Sequence, residues 1–177
     1  MQKDEKRRYI ATWMAALLLA GLPAALASQT DGSTATVSVE VDPLDKYRQA
    51  TELSDNQLVD LLSLVGFEGK GLKVAWAVAK KESNGRPKAH NDDISTGDDS
   101  YGLFQINMLG SLGKDRREKF GIESNKELLD PVENAKAAFY MTAKGTNWSS
   151  WGYGPHAYDG SSSEPKIDQW LAKYPKQ

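Results

Sequence analysis

The sequence predicts a mainly helical α+β domain with a small β excursion, and three observations predict it. Leu58, Leu61, Leu62 and Val65 recur at helical spacing. The stretch "DPVENAKAAFYMTAKG", residues 130–145, carries the start and stop signals of a helix together. Between these, "DDISTGDDSYGLFQIN", residues 92–107, has neither the period nor the length of a helix, and its Gly, Asp and Ser content predicts loops around a short hairpin. With 177 residues, 40% hydrophobic and 26% charged, the chain has the size of one such domain with a short appendage.

The appendage comes first. A charged stretch "KDEKRR" precedes an apolar run from Tyr9 to Ala27, broken by Gly21 and Pro23 and closed by "ALA" before Ser28. These are the parts of a secretory signal peptide over residues 1–27. A retained membrane anchor over residues 9–27 is the alternative, although the run without Gly or Pro reaches only from Tyr9 to Ala20 and a spanning helix needs about 20 apolar residues. The chain is thus expected to be secreted or to act outside the cytoplasm, or else to be tethered there. Residues 28–43, rich in Ser and Thr, read as a flexible linker, with a short edge strand in "TATVSVEV" as the other reading. The domain proper runs from 44 to 177.

Within it, the first helix starts behind "SDNQ", where Ser54 or Asp55 can cap the first turn, and Gly66 ends it. "GLKVAWAVAKKES", residues 71–83, is apolar on nearly every side at Leu72, Val74, Ala75, Trp76, Val78 and Ala79, which predicts the buried central helix. "DRREKF", residues 115–120, reads as a short helix stopped by Gly121. In the 130–145 stretch Asp130 is placed to cap, Pro131 to occupy the first helical position and Glu133 to complete a capping box, with Gly145 past the end. The last helix, in "EPKIDQWLAKYP", aligns Ile167, Trp170, Leu171 and Tyr174 along one face.

Composition narrows the function. The net charge is −2, and because the leader carries four basic residues against two acidic ones the remainder is more acidic still. With no basic stripe, nucleic acid is excluded as the main partner. There is no cysteine, so neither disulfides nor thiolate metal sites are available. His90 and His156 are the only histidines and lack ligand spacing, and "NDDISTGDD" lacks the glutamate at the twelfth position that a calcium loop requires. No metal and no cofactor is expected.

One carboxylate stands in an unusual place. In "KKESNGRPKAHN" Glu82 lies where the central helix runs out, at the end that carries partial negative charge. Burial behind an apolar helix and that negative end both disfavour the charged form of a carboxyl, which is what a general acid working near neutral pH needs. A lone glutamate at a helix end is more often a solvated surface charge, so its neighbours decide.

Those neighbours carry a resemblance. Glu82-Ser83 at a helix end, the turn "NGRPKA" and then "SYGLFQIN", residues 100–107, resemble the lytic transglycosylase and goose-type lysozyme branch of the lysozyme-like superfamily, with phage-borne and Gram-positive versions looking closest. "LLDPVENAKAAFYM" is similar to that family's Asn-Ala-containing helix behind the cleft, and "GTNWSSWGY" to its tryptophan-bearing segment, so the resemblance covers about residues 72–155. It implies a lysozyme-like helical domain whose β-hairpin lines a cleft for peptidoglycan glycan strands. It also implies cleavage of the β-1,4 bond between N-acetylmuramic acid and N-acetylglucosamine.

Carried over position by position, Glu82 is the catalytic acid in the Glu82-Ser83 pair, and Ser83 and Asn107 count among the sugar-binding residues. Gln105 and the backbone of Gly102, Leu103 and Phe104 hold the N-acetyl sugar, Tyr101 shapes the floor, and Tyr140 reaches the site from behind or is an ordinary core aromatic. Trp148, Trp151, Tyr153 and Tyr158 form either a glycan subsite or a small satellite core. "HAYDG" is only a poor match to the family's Ala-Tyr-Asn-Ala-Gly signature, because Asp159 stands where Asn is usual.

A hydrolase generally needs a second carboxylate. Asp98 and Asp99 are the candidates, or turn formers in "TGDDS", whereas the position after Gln105-Ile106 is Asn107, whose amide cannot act as a base. The resemblance therefore favours a lytic transglycosylase, in which one glutamate suffices and the product is a 1,6-anhydromuramic sugar. A goose-type hydrolase and a non-catalytic glycan-binding or virion structural protein are the rivals. A membrane, virion or secretion assembly reached through the N-terminal segment is a further expected partner.

Overall fold

The computed structural model describes residues 41–155 and 163–176. The expected signal peptide, almost all of the linker, His156 and Tyr158 lie outside the described residues.

The described chain is built on five helices and one small sheet: α1 (Asp55–Val65), α2 (Gly69–Ser83), α3 (Gly110–Phe120), α4 (Pro131–Met141) and α5 (Glu164–Leu171), with strands β1 (His90–Asn91), β2 (Ser100–Tyr101) and β3 (Ile106–Asn107). The strands form an antiparallel sheet in the order β1-β2-β3, in which Tyr101 lies opposite both His90 and Ile106. This is the α+β class expected, with a third short strand added to the hairpin.

Helix α2 is the centre. Val74 through Ala79 are buried without interruption, because the helix packs against α1 on one side and α5 on another. Ser54 starts α1 through a full capping box: its hydroxyl accepts from the Gln57 amide while the Gln57 side chain accepts from the Ser54 amide. On the other flank, Trp76 meets Trp170 and Tyr174 edge-on, at 6.1 and 5.5 Å between ring centroids.

Two local expectations change. Asp130 does cap α4, accepting from the Val132 amide at 2.8 Å, with Pro131 in the first turn. Glu133, however, does not complete a capping box. It accepts a hydrogen bond from the Arg48 guanidinium at 2.8 Å, and Arg48 also reaches Asp130 at 3.3 Å. A charge-assisted bond to a guanidinium outcompetes one to a neutral backbone N–H, and here it straps the first turn of the domain onto α4. Helix α3 begins at Gly110, five residues before the expected start at Asp115. "GSLGK" reads as a loop in sequence, yet Gly113 serves packing: a Cβ there would lie 2.0 Å from the Met108 carbonyl oxygen. Only glycine lets α3 approach the end of β3 so closely.

Candidate active site

The end of α2 is fastened to the hairpin by one buried hydroxyl. Ser83 is 3% exposed, and its Oγ donates to the Leu103 carbonyl at 2.8 Å, lies 3.1 Å from the Ala79 carbonyl and accepts from the Arg86 amide at 3.2 Å. Asn84 in left-handed conformation then ends the helix, a role its short polar side chain tolerates. Ser83 thus positions the glutamate beside it and is not a wall of the cleft, a correction to its expected place among the sugar-binding residues.

A second buried residue fixes the hairpin from behind. Asn134 of α4 is fully buried; its amide nitrogen donates to the Tyr101 and Leu128 carbonyls at 2.8 and 2.9 Å, and its oxygen accepts from the Phe104 amide at 2.9 Å. Both N–H donors and the oxygen of that amide have a partner within the fold, the condition for burying a polar group at little cost. Gly102 lies so close to this amide that a Cβ would come within 2.3 Å of the Leu128 oxygen and 2.4 Å of Asn134 Nδ2, and its φ is 72°. No side chain fits there.

Most of the Gly102–Phe104 backbone, expected to hold the N-acetyl sugar, is engaged within the fold instead. The Leu103 carbonyl is taken by Ser83, the Phe104 amide by Asn134, and the Phe104 carbonyl by the Trp151 indole N–H at 2.8 Å. The Gly102 carbonyl accepts from the Gln105 amide and side chain, and the side chains of Leu103 and Phe104 are fully buried. Gly102, Leu103 and Phe104 build the support, and none of them lines the cleft described next. Gln105 emerges from them at φ 45°, with Nε2 held by the Gly102 and Ala89 carbonyls at 3.0 and 3.2 Å. A non-glycine residue in this region is strained and persists only where its surroundings over-determine it.

In front of this support opens a cleft of about 350 Å³ lined by Glu82, Asn91, Asp98, Ser100, Gln105, Ile106, Asn107, Arg116, Met141, Ser150 and Trp151. Glu82 is the carboxylate at its α2 wall, with 17% of its side chain exposed. Its surroundings are less one-sided than the sequence suggests. The Lys81 ammonium donates to Glu82 Oε1 at 2.8 Å. Neighbouring residues of a helix normally diverge, so this pair was not legible from helical spacing.

Asp98 faces the same cleft, accepting from Asn91 Nδ2 at 2.6 Å and from the Ser100 hydroxyl. Asp99 does not line it. Its carboxylate is bonded to His90 Nε2 at 3.0 Å and lies 3.4 Å from Asn125 Nδ2, on the outer side of the sheet. Burial works against its ionisation, but the bonds from His90, Tyr101 and Asn125 outweigh that and hold its pKa below the ordinary aspartate value. Tyr101 is likewise absent from the cleft wall; it is buried and stacked on His90 at 4.2 Å, and burial, with Asp99 beside it, raises its pKa. Asn107 is in the wall, but its side chain is occupied locally, donating to the Gly97 carbonyl and accepting from the Leu109 amide, both at 2.9 Å.

The aromatic residues divide. Trp151 lines the cleft, while Trp148 is a core residue, stacked on Phe67 at 5.8 Å with its N–H donating to the Gly145 carbonyl at 2.9 Å. Trp148 and Tyr153 border a separate hollow with Lys70 and Asn147. Tyr140 neither reaches the site nor enters the core. It is 61% exposed, packs edge-on against Phe120 at 6.2 Å, and Met141, the next residue of α4, reaches the cleft in its place. Residues that sequence reasoning misses are Asn91, Ser100, Ile106, Ser150, Met141 and above all Arg116, hidden because a helix expected only from Asp115 shows no packed face.

With this geometry in view, the comparison with known families is decisive for the fold. A sequence profile described as lysozyme-like domain matches residues 60–153, more than half the chain. The chain belongs to the lysozyme-like domain family. Within this lysozyme-like domain the match takes in α2, the sheet, α3, α4 and the cleft they surround. Membership points in general to peptidoglycan as the substrate and to glycosidase or lytic transglycosylase chemistry. No curated protein and no solved structure matches the chain significantly.

Proposed function

We propose that this lysozyme-like domain is a lytic transglycosylase that cleaves the β-1,4 bond between N-acetylmuramic acid and N-acetylglucosamine with Glu82 as its one catalytic carboxyl. The observation that carries the reading is the position of Glu82: a largely buried carboxylate at the end of the central helix, opening on the cleft whose opposite wall is the Gln105 hairpin. In the first step the Glu82 carboxyl gives its proton to the glycosidic oxygen as the bond from C1 of the muramic sugar breaks, and the N-acetylglucosamine end leaves with a free 4-hydroxyl. In the second step the Glu82 carboxylate takes the proton of the muramic C6 hydroxyl, whose oxygen closes on C1 and gives the 1,6-anhydro product. The carboxyl returns to its starting state.

The Lys81 contact belongs to the resting protein. The ammonium occupies Glu82 Oε1 at 2.8 Å, so the pair has to part for that oxygen to meet glycan in the cleft. Asn107 supports the one-carboxylate mechanism, since an amide fastened at both ends cannot activate water. The hydrolytic, goose-type reading rests on Asp98, which shares the cleft with Glu82. The branch resemblance and the leader sequence support a site of action outside the cytoplasmic membrane, on the wall of a bacterium, whether the protein is cellular or phage-borne.

Digestion of purified peptidoglycan followed by mass analysis tests the reading. Transglycosylation yields muropeptides lighter by one water than hydrolysis does, and Glu82→Gln is expected to lower the rate by about 10²–10⁴-fold, the usual worth of a general acid. Full-mass reducing ends would select the hydrolase, and cleavage undiminished in Glu82→Gln would remove the mechanism.

A further inference from the structure

Arg116 is the one cationic residue of the cleft lining, and the proposed chemistry does not use it. It sits on α3, one turn after Gly113, the residue that allows the helix to pack against Met108. Arg116 lines the cleft with Glu82, Asp98 and Gln105, and one of its terminal nitrogens, Nη1, donates to the Asn107 carbonyl. Asn107 is itself clamped to Gly97 and Leu109, so the arginine is anchored to a fixed wall. Among the described residues no carboxylate stands within ion-pair distance of it, although Lys81, Lys46 and Arg48 all have acidic partners. Burial lowers its pKa, so its charge is held at a cost.

A partly buried guanidinium with one hydrogen bond and no counter-ion is a site prepared for a planar anion. The Nη1 anchor fixes the plane of the fork, and Nε and Nη2 remain to grip a carboxylate in two-point fashion. Glu82 cannot fill that role, being paired with Lys81, and Asp98 already accepts from Asn91 and Ser100.

We propose, resting on the peptidoglycan reading above, that Arg116 anchors a carboxylate carried by the lactyl arm of the muramic acid, and so makes the cleft select muramic acid over N-acetylglucosamine. That arm is what distinguishes the two sugars. Its carboxylate has two sources: the lactyl group itself on strands stripped of peptide, or an acidic residue or C-terminus of the stem peptide where the lactyl group is amidated. Both offer the same planar group to the same fork.

The test uses the full chain carrying Glu82→Gln, so that ligands are bound and not cut, with Arg116 kept, changed to Gln or changed to Lys. Affinity is measured by calorimetry for three probes: neutral chito-oligosaccharide, alternating strands with free lactyl carboxylates, and the same strands bearing stem peptides. The readout is the ratio of affinity for a carboxylate-bearing strand over the neutral one, which a general disturbance of the cleft leaves unchanged. Arg116→Gln is expected to lower that ratio roughly ten- to hundred-fold, the usual worth of hydrogen bonds to a charged group, with Arg116→Lys in between. A fall confined to stripped strands assigns the lactyl carboxylate, and a fall with peptide-bearing strands assigns the stem. A ratio unchanged in both variants overturns the role of Arg116 while leaving the peptidoglycan reading intact. Failure of all three probes to bind the parent overturns both.

Discussion

Helix α2 meets the rest of the domain in two different ways. Along its flank, Trp76 is packed by the rings of Trp170 and Tyr174, and the Lys80 ammonium lies 5.2 Å from the Trp170 ring. At its C-terminal end the contacts are hydrogen bonds of fixed direction, through Ser83 to the Leu103 carbonyl and, one layer further, through Asn134 to the hairpin. The flank tolerates imperfection: Trp76 Nε1 is buried and has no hydrogen-bond partner among the described residues. The end is more exacting, for both N–H donors and the oxygen of Asn134 have partners. Burial of apolar area is non-directional and rewards approximate fit, whereas a polar web in low dielectric rewards complete satisfaction and sets atoms in place. The flank gives stability, and the end gives geometry.

A large effect on stability alone is expected on the flank. Trp76→Ala removes the largest fully buried side chain of the core and should cost about 3–5 kcal/mol of stability, read by urea denaturation. At a temperature where the variant is folded, its cleavage rate per folded molecule should stay near that of the parent. A rate that collapses with the ring would show that the two regions are one.

Asn134→Ala is the converse. It strips partners from the Phe104 amide and the Tyr101 and Leu128 carbonyls, and each buried group left unpaired costs about 1–3 kcal/mol, a loss comparable to the tryptophan's. Its effect on cleavage should be larger, on the order of a hundredfold, because a hairpin displaced by about 1 Å takes Gln105 and the cleft wall with it. If this variant lost stability and kept its rate, the web would be structural only.

What could be read in sequence follows the same division. The helices were legible because apolar periodicity and caps are local: Ser54 opens α1 and Asp130 opens α4 as their spacing implies. The placement of Glu82 at the end of a buried helix was legible for the same reason. The roles of Ser83 and of the Gly102–Phe104 backbone were not, since those depend on bonds across 20 to 47 residues that have no period. Tyr140 and Trp148 were placed by motif company alone, and one helical step, or one side of a 3-10 turn, moves an aromatic ring from cleft to surface or core. Arg116 escaped notice because the two glycines of "GSLGK" signal a loop in isolation and a close helix contact in the fold.

The smallest effect sharpens the comparison at a third place, the outer edge of the sheet, where the polar web is partly wet. Asp99 bonds to His90 and lies near Asn125, with 21% of its side chain exposed, and these bonds hold its pKa below the ordinary value despite its burial. A carboxyl whose pKa is lower in the folded than in the unfolded protein binds fewer protons when folded. Its stabilisation is therefore complete above the ordinary aspartate pKa of about 4 and is lost as the pH falls through that value toward the folded one. Asp99→Asn should flatten this part of the acid limb in a plot of unfolding free energy against pH, with a loss near neutral pH of under about 1 kcal/mol, as for other partly exposed pairs. Cleavage at neutral pH should be little changed, because Asp99 lies outside the cleft. An acid limb identical to the parent's would mean that the bonds around Asp99 form equally well in the unfolded chain; a steeper one would reverse the sign of its contribution. Directional bonding fixes geometry at this edge as it does behind the cleft, but water competes for each of these groups, and the same number of bonds is worth less.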